Sequence, residues 1–102
     1  MRLVLLAILM LGLLAAPLLA AGDPAKGEQI YKTICIACHG PDASKDGPLG
    51  PAITGSKRDL VEARVMRAEY PKGYKPKRDT KLMVPFPQYK DNIDDITAYL
   101  NK

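Results

Sequence analysis

The chain has no tryptophan and one phenylalanine, and its aromatic residues amount to only 6% of 102. A core built on stacked large rings is therefore not available. Cysteine and histidine are equally scarce, at two and one. That set falls short of the roughly four nitrogen and sulfur ligands of a structural zinc site. No stretch alternates apolar and polar residues cleanly enough to be a strand, and no internal repeat is visible. Charge of either sign is modest. The formal net charge is +4, too mild to argue for nucleic acid, and no nucleic-acid motif accompanies it.

The few cysteines and the lone histidine all lie within five residues, Cys35-Ile36-Ala37-Cys38-His39. The spacing is C-x-x-C-H, the attachment pattern of a c-type haem. Two thiols three apart on a helical turn can each form a thioether to one vinyl group, and a histidine directly after the second can reach the iron axially. Other chemistries use part of this pattern. A disulfide oxidoreductase places C-x-x-C at a helix start after a buried strand, and no strand-like run precedes Cys35. Zinc needs more ligands than Cys35, Cys38 and His39. A structural disulfide beside an incidental histidine is the remaining alternative. Haem attachment accounts for all three residues at once.

Attachment of this kind requires export, and the N-terminus reads as an export signal. Met1-Arg2 is a short positive start, Leu3 to Leu14 is apolar, and Pro17 with Ala20, Ala21 and Gly22 makes a cleavage region. Residues 1–21 are thus expected to be a signal peptide, with the mature chain starting near Gly22 or Asp23. The competing reading is a retained anchor, since Leu3 to Ala21 borders on spanning length. Either way the location is periplasmic. Residues 22–102 then form one domain, small enough to need a staple such as a metal or cofactor.

Helical spacing organises that domain. Asp23-Pro24 suits an N-cap followed by a first-turn proline. Gly27, Tyr31, Ile34 and Cys38 recur at helical intervals until Gly40-Pro41. Residues 40–55 read as loop. Ser56 with Asp59 suggests a capping box before Leu60, Val61, Ala63, Val65, Met66 and Ala68. Residues 71–88 form a proline-rich loop. Asp91 with Asp94 suggests a cap for a last helix carrying Ile93, Ile96, Tyr99 and Leu100 on one face. The expected fold is all-α, with three main helices and long loops wrapped around one covalent haem.

An iron held by His39 needs a sixth ligand, and methionine suits electron transfer. Beyond the leader only Met66 and Met83 are available. Met66 lies among apolar helix neighbours, where a core role is the default. Met83 lies in Leu82-Met83-Val84-Pro85-Phe86-Pro87, where prolines can hold a thioether in place; core filler is the plainer reading.

Over its whole mature length the chain resembles the class I cytochromes c, the small monohaem bacterial type. Cys35, Cys38 and His39 carry the resemblance first. Gly50-Pro51-Ala52-Ile53 is similar to the family's Gly-Pro-x-Leu segment, which implies that the Pro51 carbonyl accepts a hydrogen bond from His39. Met83-Val84-Pro85-Phe86 is similar to the Met-Pro-x-Phe ligand loop, with one extra valine, and implies Met83 as the second axial ligand. Gly27, Tyr31 and Tyr99 fit the family's contact between first and last helices. Ile53, Leu60, Val65 and Phe86 are candidate haem-packing side chains, and Tyr70, Tyr74 and Arg78 candidates near the propionates.

The expected function is a periplasmic one-electron carrier with one covalent haem c, not an enzyme by itself. A haem-bearing subunit of a larger oxidoreductase would look similar; a large apolar surface away from the haem edge or a retained anchor would favour it. A ligand sensor or peroxidase-like protein would leave Met83 unligated. Lys72, Lys75, Lys77, Arg78 and Lys81 form a basic stretch, readable as a solvated loop or as a docking rim for redox partners with an acidic surface. Membrane contact is expected only if residues 1–21 are retained.

Overall fold

The computed structural model describes residues 22–102; the expected signal peptide lies outside them. The described residues are all helix and loop. The first helical rod combines α1 (Pro24–Ile30), a π-helical turn (Tyr31–Cys35) and α2 (Ile36–His39). Right-handed helical backbone at Ile30, Tyr31, Cys35 and Ile36 makes these one continuous rod. α3 (Arg58–Arg67), a 3-10 turn (Pro87–Asn92) and α4 (Ile93–Leu100) follow. Among the described residues no helix is long and apolar enough to cross a membrane.

Asp23 caps the rod, its carboxylate accepting the Ala25 N–H at 2.9 Å, with Pro24 in the first turn. In the π turn the Ile36 N–H reaches back to the Tyr31 carbonyl. One extra residue per turn changes the phase of the rod just before the two cysteines, and such turns occur often at functional sites. Tyr31 is 1% exposed, and its hydroxyl donates to the Gly40 carbonyl at 2.7 Å. That bond ties the start of the π turn to the end of the rod.

The rod crosses α4 at Gly27. A Cβ there would run into the Asp95 carbonyl oxygen and come within 2.9 Å of Tyr99 Cβ. Tyr31 and Tyr99 pack with ring centroids 5.4 Å apart. Asp95 also accepts the Asp23 N–H at 2.8 Å, which holds its carboxyl below the usual carboxylate range. Ile30, Tyr31, Val61, Val65, Ile96 and Leu100 form the core.

Both expected caps of the later helices are corrected. The Ser56 hydroxyl donates to the Ile53 carbonyl at 2.6 Å, so α3 starts behind Lys57 with no side-chain cap bond. Asn92 rather than Asp91 precedes α4, because the 3-10 turn brings the chain in from Pro87. α3 also ends sooner than Pro71 would impose. Ala68 adopts left-handed backbone (φ 52°) and donates to the Arg64 carbonyl, while Glu69 donates to that of Ala63. The Val65 carbonyl is left free to accept the Phe86 N–H at 2.6 Å.

Candidate haem site

The rod ends where loop 40–55 wraps its last turn. The Cys38 carbonyl accepts N–H bonds from Leu49 at 3.1 Å and Gly50 at 2.9 Å. Gly47 and Gly50 permit this approach. A Cβ on Gly47 would collide with the backbone of Cys38 and His39, and one on Gly50 would lie 2.6 Å from His39 Cε1. His39 Nδ1 lies 2.8 Å from the Pro51 carbonyl oxygen. A carbonyl only accepts, so Nδ1 carries the proton and Nε2 keeps its lone pair for a metal. Such a bond also fixes the ring orientation and raises ligand basicity.

His39 faces an open cleft of about 1230 Å³, counting the space that opens to solvent, to which the rod, both loops, α3 and α4 all contribute. Cys35, Cys38 and Pro51 line it, and so do Ile53, Leu60, Val65 and Phe86. Tyr70, Tyr74 and Arg78 line it as well. Met66 packs against the core instead.

Met83 lines the same cleft and packs on the core, while Leu82 and Val84 on either side are 59% and 57% exposed. All three line the cleft, and the methionine is the least exposed of them. The Phe86 bond to α3 pins the loop three residues later.

The donor set fits a covalent haem. The two thiols are unpaired and sit one turn apart beside an imidazole with a free Nε2. Burial, and then the neighbouring Cys38, pushes the Cys35 thiol up to about 11. Among the described residues no three His, Cys, Asp or Glu side chains converge to hold a bare metal ion.

Comparison with known proteins identifies the family. The family model described as Cytochrome c matches residues 24–102. Cytochrome c-554(548) of Halomonas halodenitrificans is 36% identical over 81 residues, covering 78% of this chain and 94% of that protein. Cytochrome c4 of Thiocapsa roseopersicina is 30% identical over 83% of this chain, which spans 41% of that longer protein. Cytochrome c2 iso-2 of Rhodospirillum centenum is 58% identical over a shorter stretch of 36 residues, 33% of this chain and 27% of that protein. No solved structure matched significantly. The chain belongs to the cytochrome c family, as a class I monohaem c-type cytochrome. Its cofactor is a covalent c-type haem and its activity is haem-based electron transfer, in contact with redox partner proteins.

Several polar contacts at and beside the cleft had no signal in the sequence. Asp46 accepts the Ala52 N–H at 2.9 Å and pairs with Arg78 at 3.5 Å. Lys77 Nζ donates to the Ala52 carbonyl at 2.7 Å. Arg64 donates to the Ala68 carbonyl at 2.8 Å and lies 4.1 Å from the Tyr70 ring centroid. The Lys77 and Arg78 contacts join loop residues distant in sequence, where spacing predicts nothing.

Proposed function

We propose that the protein is a one-electron carrier of the periplasm, with haem joined to Cys35 and Cys38 and its iron held between His39 and Met83. The observation that carries this reading is the shared cleft: His39, its Nδ1 held by the Pro51 carbonyl, and Met83, the least exposed residue of the Leu82–Val84 stretch, line the same space. When bound, the haem supplies a ferric–ferrous couple, and Met/His ligation raises its potential. The chain's part is to hold the imidazole tautomer through Pro51, to keep the thioether in place, and to surround the group with apolar side chains.

A free carrier is favoured over a complex-bound subunit by where apolar surface is exposed. Leu49, Tyr70, Leu82 and Val84, the large hydrophobics exposed among the described residues, all line the cleft. No second apolar face of that kind is found among those residues. Lys72, Lys75 and Lys81 are exposed around the same loop and suit an acidic partner surface. Export rests on the sequence of residues 1–21, read as a cleaved leader.

Met83→Ala tests the ligand set. The variant is expected to retain covalent haem, bind carbon monoxide in the ferrous state and have a lower potential. An unchanged spectrum and potential would remove Met83 from the iron.

A further inference from the structure

The Pro51–Ala52 peptide group is hydrogen-bonded at both ends. Its carbonyl accepts from His39 Nδ1 at 2.8 Å, and its N–H donates to Asp46 Oδ1 at 2.9 Å. Asp46, the peptide and the imidazole therefore form one unbroken chain, carboxylate to N–H, carbonyl to ring N–H. Hydrogen bonds in such chains polarise one another, and a charged acceptor makes the first bond the stronger kind. A carboxylate drawing on the N–H pushes electron density onto the Pro51 carbonyl, which then draws harder on the His39 proton.

We propose that Asp46 is a positioning residue that tunes His39 through the Pro51–Ala52 peptide, lowering the reduction potential by making the imidazole a stronger electron donor. The inference rests on His39 as an iron ligand. Hydrogen-bond partners of ligating histidines commonly raise ligand basicity in this way; here the carboxylate acts across one peptide group. Two cations adjoin the chain and moderate it. Arg78 pairs with Asp46 at 3.5 Å, and Lys77 binds the next carbonyl, that of Ala52, at 2.7 Å. The Asp46 side chain is 69% exposed, so its through-space field is screened by solvent and salt, whereas the bonded path is not.

That difference makes the test. Asp46→Asn keeps an acceptor for the Ala52 N–H and removes the charge. Asp79→Asn removes the same charge from an exposed site of the nearby loop. Potentials are measured against a one-electron mediator at low and high ionic strength, and the His39 Nδ1–H resonance is followed in the ferrous protein. The expected result for Asp46→Asn is a shift toward reduced protein of about three- to tenfold in the mediator equilibrium, retained at high salt, with a displaced His39 resonance. Asp46→Glu is expected to restore part of the shift, and Asp79→Asn to produce a smaller one that fades with salt. Equal effects of the two neutral variants, or a His39 resonance unmoved by Asp46→Asn, would overturn the proposal. A wild-type protein whose ferric form lacks hyperfine-shifted His39 ring resonances would overturn the His39 ligation itself and this inference with it.

Discussion

Single residues define this site in two ways. Cys35, Cys38 and His39 were legible because their chemistry is fixed by five consecutive positions. The Pro51 contact was suggested only by family resemblance, since nothing in local spacing relates position 51 to position 39. Asp46 was invisible for the same reason: its partners are an N–H six residues on and a cation 32 residues away. Tyr31 offers a test at this scale. Burial pushes its hydroxyl up to about 12, against an ordinary value of about 10. A folded pKa above the unfolded one adds stability that is fully present below about pH 10 and is lost as pH rises through about 12. Urea unfolding at pH 8 and pH 11 should therefore show a loss on the alkaline side that Tyr31→Phe reduces; an equal loss in both would contradict the assignment. At neutral pH the same variant leaves the Gly40 carbonyl without its partner, at a cost of about 1–3 kcal/mol.

Among the elements, helix faces were predictable and helix ends less so. Ile93, Ile96 and Leu100 are buried where their spacing put them. The caps at Ser56 and Asp91 failed because a polar side chain near a helix start has other carbonyls and turns within reach, and the sequence does not rank them. The π turn over Tyr31–Cys35 was not legible either. What holds the elements together is the close crossing of α1 and α4 at Gly27. Gly27→Ala forces the Asp95 carbonyl and Tyr99 away and is expected to cost about 1–3 kcal/mol. In a domain this small each kcal/mol lowers the melting temperature by about 4–8 °C. A calorimetric scan of the haem-loaded variant checks this, and an unchanged midpoint would mean that the two helices can separate freely.

For the whole molecule, one cleft organises both loops, the rod and the two later helices, which explains how a chain without tryptophan sustains so much irregular backbone. The sequence conveyed this architecture through its scarcities: two cysteines and one histidine, placed together, leave little else for the core to be built around. The surface carries a second expectation. The basic loop is split by its contacts. Lys77 and Arg78 turn to the Ala52 carbonyl and to Asp46, while Lys72, Lys75 and Lys81 make no ion pair among the described residues. Steering by these exposed lysines should slow as salt rises, by about tenfold or more between low and high ionic strength with an acidic redox partner. Stopped-flow reduction rates that ignore salt would discard the docking rim. The most direct test of the central claim is an optical spectrum of the exported protein, ferric and then ferrous, joined to acid–acetone extraction. The account predicts haem that stays with the polypeptide, a sharp low-spin ferrous spectrum and the weak ferric methionine-to-iron band. Haem that extracts would contradict attachment through Cys35 and Cys38, and covalent haem without that band would contradict ligation by Met83.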